Sequence, residues 1–181
     1  MKSVRIIEHG GKDKLIYDEI DEPSCPPHKI KIQVKAAALN HLDILVRNGL
    51  PSLPIPLPLI MGSDASGTIV EVASQVNNLH PGDDVVIQPG TFCNECQHCN
   101  EGRENYCSNY GILGETENGT MAEYIILDPV NVHKKPEHLS FSDAASMQLV
   151  FMTAYQMIIK RGKLQTDETV LIYGGSSGVG S

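Results

Sequence analysis

The sequence contains no tryptophan, and aromatic residues make up only 5% of it. Proteins that bind single-stranded nucleic acids use aromatic side chains as stacking platforms. Basic residues are also in deficit, because 14 Lys and Arg stand against 22 Asp and Glu and leave a net charge of −8. Contacts to phosphates need a basic surface. The composition therefore argues against a nucleic-acid-binding protein.

The sequence also lacks a signal peptide and an apolar run of membrane-spanning length. The first 12 residues hold one adjacent apolar pair, Ile6 and Ile7, directly before Glu8 and His9, whereas a signal peptide has a continuous apolar centre. The longest apolar stretch, residues 144–159, is shorter than the roughly 20 residues of a membrane helix and predicts a mostly buried helix. We therefore expect a cytoplasmic protein that does not contact a membrane.

Residues 1–140 predict a mainly β domain. Alternating or β-branched segments are separated by Gly and Pro, as in short strands joined by turns. One short helix is expected from Asn40, where Leu42, Leu45 and Val46 have helical spacing. The Pro-rich residues 51–60 predict an extended connector that is neither helix nor strand. The predicted strands are Ser3–Glu8, Lys14–Ile20, Lys29–Leu39 and the segments GTIVEVA, DDVVIQP and MAEYIILD.

The pattern changes after residue 140. Ser140, followed by Asp143, predicts the start of the apolar helix. Residues 168–175 then read as a buried strand that runs into the glycine-rich turn GGSSGVGS. A strand followed by such a turn opens a βαβ unit. We therefore expect residues 141–181 to be a linking helix and the start of a dinucleotide-binding domain that is truncated in this chain.

Four of the five cysteines lie within fifteen residues. Their spacing is C-x2-C-x2-C-x7-C, and in a reducing compartment such clusters bind metal more often than they form disulfides. Bacterial ferredoxins also begin C-x2-C-x2-C, which leaves an iron–sulfur cluster as the alternative, but they continue with three residues to a Cys-Pro pair. The spacing favours zinc. The predicted ligands are Cys93, Cys96, Cys99 and Cys107.

Four thiolates fill every position of a tetrahedral zinc ion, and such closed sites are structural. We therefore expect one structural zinc per chain, in a lobe at about residues 90–113. His98 lies within this lobe and is expected to be a solvated neighbour of the site. Cys25 is remote in sequence and is expected to be a free thiol. Any chemistry must then take place elsewhere in the protein.

These motifs resemble the medium-chain superfamily of zinc-type alcohol dehydrogenases and quinone oxidoreductases. The resemblance rests on the four-cysteine lobe, on ALNHLDILVRNG, PLIMGSDASGTIVEV, HPGDDVV and GTMAEYIIL, and on YGGSSGVGS, which follow one another in the family's order. It implies a GroES-like catalytic domain, a partly open β-barrel, over residues 1–140. It also implies the first strand and turn of a Rossmann domain at the end of the chain.

The resemblance also implies that the ligands of a catalytic zinc are missing from this chain. Zinc alcohol dehydrogenases hold a second, catalytic zinc through a Cys, the His of a Gly-His-Glu segment and a further Cys or carboxylate. Asn40, Ser63, Asp64 and about Leu149 occupy the corresponding positions here. An Asn, a Ser and one Asp do not make a three-ligand catalytic zinc site. A weak site at His41 and Asp43 is the alternative.

Without a catalytic zinc, hydrogen-bond donors must stabilise the charge that develops on a substrate oxygen. The candidate catalytic residues are Asn40 and His41 as donors, with Asp43 orienting His41, and Asp64 nearby. Two alternatives stay open, because Asn40 can instead cap the helix that starts there and His41 can be an ordinary surface residue. We expect reduction of a quinone or an α,β-unsaturated carbonyl rather than oxidation of simple alcohols.

The glycine turn points to a nicotinamide cofactor. Gly175, Gly178 and Gly180 match the superfamily's turn, where small residues let backbone amides approach a pyrophosphate. Thr153 resembles a position that approaches the nicotinamide, although a core-facing Thr is the alternative. The residue that separates NAD from NADP normally lies about 20 residues further on. The expected cofactors are therefore one structural zinc and, in the full-length protein, NAD(P)H.

The sequence leaves two other functions open, a conventional zinc-type alcohol dehydrogenase and a non-catalytic, zinc-stabilised binding module. The substrate of the leading hypothesis is a small carbonyl compound or quinone. The full-length protein is expected to be a homodimer or homotetramer, and this chain alone is expected to be inactive. A reading frame that continues for on the order of 150 residues with βαβ periodicity would favour the enzyme.

Overall fold

The computed structural model describes residues 1–73, 76 and 78–181. It is mainly β, with four short α-helices among the described residues. The elements are β1 (Lys2–Ile6), β2 (Ile16–Glu19), β3 (Ile30–Ala38), α1 (His41–Asn48), β4 (Leu59–Ile60), β5 (Asp64–Val72), β6 (Asp84–Ile87), β7 (Gly90–Thr91), α2 (Gln97–Asn100), β8 (Gly111–Ile112), β9 (Tyr124–Leu127), β10 (Val132–Lys134), α3 (Phe141–Ala145) and α4 (Gln148–Tyr155), which continues as a π-helical segment, Gln156–Arg161.

The strands form three antiparallel sheets instead of one closed barrel. The largest has five strands in the order β10-β6-β5-β3-β9, with β3 and β5 at its centre. A three-stranded sheet has the order β2-β1-β4, and β7 pairs with β8 in a small separate ribbon. The strands predicted from alternation are confirmed within a few residues of their ends.

The main core lies on one face of the five-stranded sheet. Alternate residues of β3 point into it, so Ile30 and Ile32 are fully buried, as expected when one face of a strand is covered. A smaller core joins α1 to the three-stranded sheet. Val46 of α1 packs there with Ile6, Leu59 and Met61. The start of α1 is thereby held close to the beginning of β5.

Three predictions differ from the structure. The Pro-rich segment ends in a strand, β4, because Leu59 and Ile60 follow the last proline, pair with β1 and are buried. The apolar helix is split at residues 146–147 and is mostly half-buried or exposed instead of buried, because few described residues pack against its outer face. Residues 168–175 form no strand, since no described strand lies beside them to share hydrogen bonds.

No helix among the residues that the structure describes is long and apolar enough to cross a membrane.

Candidate functional site

The four-cysteine loop projects from the β7–β8 ribbon. The chain leaves the sheet at Thr91, makes the loop and returns at Gly111, which pairs with Thr91. Asn94, after the first cysteine, has a left-handed backbone conformation (φ 61°), which Asn tolerates better than most residues. This turn brings the cysteines back towards one another.

The four sulfur atoms meet at one point. All of them lie within 4.8 Å of one another. The Cys93–Cys99, Cys96–Cys99 and Cys93–Cys107 separations are 3.9, 3.5 and 3.5 Å, and none of the four is in a disulfide. With Zn–S bonds of about 2.3 Å, the edge of a tetrahedral site is about 3.8 Å. The four side chains therefore fit a tetrahedral zinc ion.

Backbone N–H groups point at the sulfurs and favour the thiolate form that metal binding requires. The N–H of Cys96 donates to Cys93 Sγ at 3.4 Å, and that of Asn109 donates to Cys107 Sγ at 3.4 Å. The N–H groups of Glu95 and Cys96 lower the pKa of Cys93 to about 6. Burial and the neighbouring thiols raise the pKa of Cys99 to about 12, so these N–H groups favour the thiolate at Cys93 and not throughout the cluster.

His98 is half-buried, and its ring lies 5.8 Å from that of Tyr106. The sequence predicted a solvated neighbour of the metal site. In the structure His98 instead packs beside an aromatic ring and is only partly exposed. Cys25 is a free thiol, as expected.

A second polar cluster lies where α1 begins. Asn40 is in extended conformation (φ −119°, ψ 158°) and forms a capping box with Asp43. The Asp43 carboxylate accepts the backbone N–H of Asn40 at 2.7 Å. Asp43 is 7% exposed, and this burial raises its pKa, while the Asn40 N–H opposes the shift. Asp43 thus stabilises the helix start, and its contact is with Asn40 instead of His41.

The side chain of Asn40 also reaches Asp64, the first residue of β5. Asn40 Nδ2 donates to Asp64 Oδ2 at 3.0 Å, and the backbone N–H of Leu149 donates to Asp64 Oδ1 at 3.0 Å. Three of the four positions that the resemblance assigns to the catalytic zinc site, Asn40, Asp64 and Leu149, therefore converge. In this chain these three are joined by hydrogen bonds through the Asp64 carboxylate.

Asp64 is only 1% exposed. Burial raises its pKa to about 6, the hydrogen bonds from Asn40 and Leu149 oppose the shift, and the charge of Asp43 adds to it. Ser63, beside it, is equally buried, and its hydroxyl has no hydrogen-bond partner among the described residues. The region is thus polar, shielded from solvent and poor in soft metal ligands.

A cleft of about 600 Å³ opens next to this cluster. Asn40 and His41 line one wall, and Leu149 and Thr153 of α4 line another, with Gly178 at the glycine turn. The structure thereby brings together both predicted donors, the predicted nicotinamide contact and one of the predicted cofactor glycines. Asp43 and Asp64 lie behind the wall and are not among the lining residues.

The glycine turn folds back on itself. The N–H of Ser177 donates to Gly174 O at 2.8 Å, and the N–H groups of Gly180 and Ser181 donate to Ser177 O. Gly175 and Gly180 belong to this turn but do not line the cleft. Only Gly178 of the three predicted glycines does so, beside Val150.

Sequence reasoning missed part of the cleft. Its apolar surface comes from Leu39, Leu42, Ile112, Val150 and Phe151. These residues lie on three separate stretches of the chain, and no local spacing connects the three. The apolar pattern of residues 144–159 is a signal for one of them, and it predicts a buried helix instead of a cleft wall.

Known proteins align with this chain over nearly its whole length. Residues 26–137 match the model of the alcohol dehydrogenase GroES-like domain. Crotonyl-CoA carboxylase/reductase of Cereibacter sphaeroides is 33% identical over 187 aligned residues, which cover 99% of this chain and 44% of that protein. The 2-methylene-furan-3-one reductase of Solanum lycopersicum is 31% identical. The alignment covers 100% of this chain and 42% of that protein.

Among solved structures, a crystal structure of an NAD-dependent alcohol dehydrogenase superposes with a TM-score of 0.93. It is 41% identical, and the match covers 99% of this chain and 52% of that one. The chain therefore spans about half the length of the relatives it matches. The mainly β, GroES-like fold expected from the sequence is confirmed.

Proposed function

Since this chain belongs to the alcohol dehydrogenase GroES-like family, we propose that it is the catalytic-domain part of an NAD(P)H-dependent oxidoreductase that reduces a quinone or an α,β-unsaturated carbonyl. The polar cluster behind the cleft carries this proposal. Asp64 accepts hydrogen bonds from Asn40 and Leu149. An amide and a backbone N–H that share one carboxylate as acceptor suit hydrogen-bond chemistry better than a catalytic zinc site, which needs three protein ligands.

Zinc is proposed to have a structural role in this protein. Cys93, Cys96, Cys99 and Cys107 would hold it in a closed tetrahedral site. The lobe would then be cross-linked by the ion and would leave no position open for substrate. This role agrees with the location of the loop on its own ribbon, outside the wall formed by Asn40 and His41.

In the complete protein, bound NAD(P)H would supply a hydride to the substrate. Adding hydride to a conjugated carbonyl places negative charge on the carbonyl oxygen, where donors can stabilise it. One N–H of the Asn40 side chain bonds to Asp64, and Asn40 also lines the cleft, where its second N–H would be the donor. His41 is exposed in the same wall and can donate as well. Simple alcohol oxidation instead benefits from a metal that stabilises the alkoxide.

Two relatives are named as reductases, and others of similar identity are named as NAD-dependent alcohol dehydrogenases, so the choice of a reductase rests on the polar cluster. The structural neighbour is named as an NAD-dependent alcohol dehydrogenase, so zinc-dependent alcohol oxidation is the second candidate. A non-catalytic, zinc-stabilised module is the third. Assays on the full-length protein separate the three.

The assay compares reduction of a quinone and an enone with oxidation of ethanol and benzyl alcohol, each with and without a chelator at concentrations that spare the structural metal. We expect conjugated-carbonyl reduction to dominate and to resist the chelator. Asn40→Ala combined with His41→Ala should lower turnover about 100-fold or more. His133→Ala, on an exposed residue outside the cleft, is the matched control. Dominant, chelator-sensitive alcohol oxidation would contradict the proposal.

A further inference from the structure

Helix α4 begins without a cap of its own. Its N-cap residue, Met147, makes no side-chain hydrogen bond to the first turn. The first four N–H groups of any helix have no partner within it, and a short polar side chain usually satisfies one of them. Here the partner comes from elsewhere, because Leu149 N donates to Asp64 Oδ1 at 3.0 Å across 85 residues of sequence. An anionic group at this end of a helix is also favoured by the helix dipole.

The other oxygen of Asp64 holds the opposite wall of the cleft. Asn40 Nδ2 donates to it at 3.0 Å. The two ends of an Asn side chain differ, since the nitrogen only donates and the oxygen only accepts. A carboxylate at this distance accepts only the nitrogen end. Asp64 therefore holds the nitrogen end of the Asn40 amide, in addition to the capping box that Asn40 forms with Asp43.

Both the backbone and the side chain of Asp64 are held by neighbouring residues. Its backbone lies opposite Ala38 in the central strand pair, and its carbonyl accepts the hydroxyl of Thr120 at 3.1 Å. The residue is 1% exposed. Asp43 is the charged group that faces it from α1, and α4 presents only the N–H of Leu149. The Asp64 side chain thus joins the start of α1 to the first turn of α4, and residues of both line the cleft.

We propose that Asp64 is a positioning residue that aims the Asn40 amide into the cleft and fixes the first turn of α4. It has no contact with the cleft itself, so it acts through these two partners. Thr153 lies one turn further along α4, where its hydroxyl donates to Leu149 O at 2.7 Å. The same carboxylate therefore sets the distance between the donor wall and the wall that carries Thr153. This inference rests on the proposed function for its catalytic consequence only.

The test is a donor–acceptor swap in the full-length protein. Asp64→Asn puts an amide between two donors, so one of them loses its acceptor. Asn40→Asp places two carboxylates face to face. Combining both substitutions restores one complementary pair, because the new amide at position 64 can accept from Leu149 N and donate to the new carboxylate at position 40. Each state is measured by thermal unfolding and by kcat and KM for enone reduction. Exchange of the Asn40 side-chain amide protons is measured by NMR in the wild type and in Asp64→Asn, which both keep this amide.

We expect Asp64→Asn to speed exchange of the Asn40 side-chain amide at least 10-fold and to lower kcat at least 10-fold, with KM changed less than 3-fold. The double variant should recover most of the lost thermal midpoint but not kcat, because an acceptor now replaces the donor in the cleft. Asp84→Asn is the control, since Asp84 is exposed and bonds only Thr68 on the neighbouring strand.

Unchanged Asn40 exchange in Asp64→Asn would overturn the proposal, as would recovery of kcat together with stability in the double variant. If the wild-type protein reduces neither enones nor quinones, the proposed function fails. The NMR and thermal measurements still decide the positioning role in that case.

Discussion

Asn40 Nδ2 and Asp64 Oδ2 lie 3.0 Å apart, with the carboxylate buried and the amide on the wall of the cleft. Each is at a position where the resemblance to zinc-type alcohol dehydrogenases would place a ligand of catalytic zinc or its neighbour. The pair satisfies itself by a charge-assisted hydrogen bond, which is stronger than a neutral one. A buried carboxylate and a polar amide at these positions are thereby paired with each other.

The first prediction concerns the metal. The purified protein should contain one zinc per chain, and Cys96→Ser should lose it, because three thiolates and a hydroxyl bind zinc far less well than four thiolates. Elemental analysis measures the zinc content. Cys25→Ser is the control, since Cys25 lies outside the cluster, and it should keep the metal. Mainly iron, or two tightly held zinc ions, would contradict the assignment.

The second prediction concerns pH. The pKa of Asp64 is raised to about 6 in the folded protein, against about 3.9 in an unfolded chain. Between these values the folded state binds more protons, so the Asp64 contribution to the free energy of unfolding falls as pH rises from about 4 to 6. The slope is at most about 1.4 kcal/mol per pH unit. It is measured by urea unfolding of the wild type against Asp64→Asn at each pH.

In that experiment the difference in stability between wild type and Asp64→Asn should shrink or become unfavourable to the wild type as the pH rises. A difference that grows with pH would mean that the hydrogen bonds from Asn40 and Leu149 outweigh burial.

The third prediction concerns packing behind the site. A Cβ at Gly119 would lie 2.0 Å from the carbonyl oxygen of Gly62 and 2.6 Å from that of Met61. Backbone atoms cannot move aside cheaply, so Gly119→Ala should lower the free energy of unfolding by about 2–3 kcal/mol. Gly102→Ala is the control: its φ is +67° with open space around it, so only the backbone cost of about 1 kcal/mol applies. The free energy of unfolding of both variants is measured by chemical denaturation. Equal decreases in Gly119→Ala and Gly102→Ala would argue against close packing at Gly119.

The fourth prediction concerns the cofactor. The 181-residue chain alone should not bind NADPH measurably in calorimetry, because the N–H groups of Ser177, Gly180 and Ser181 are already bonded within the turn. The remaining surfaces of a dinucleotide site belong to further strands and helices. The full-length protein is the positive control. Micromolar binding to this chain would show that the turn is competent as it stands.

The sequence predicted the features that depend on local pattern. Alternation identified β3 to within one residue at each end, and cysteine spacing identified the four sulfurs that meet. The strand at Leu59 and Ile60 escaped prediction because only its pairing with β1 makes it a strand. The cap on Leu149 escaped because its partner is 85 residues away. Such long-range contacts are specified by the whole fold, and the sequence around either contacting residue has no local pattern that predicts them.

Residues 170–173 have a consequence for the behaviour of the chain in concentrated solution. Val170, Leu171, Ile172 and Tyr173 are 43%, 77%, 51% and 91% exposed and belong to no sheet. A short apolar, β-prone segment without a strand partner is a template on which a second molecule can build a shared sheet. Glu168 is the nearest acidic residue that opposes this association. Colloidal stability at high concentration therefore depends on whether something pairs with this segment.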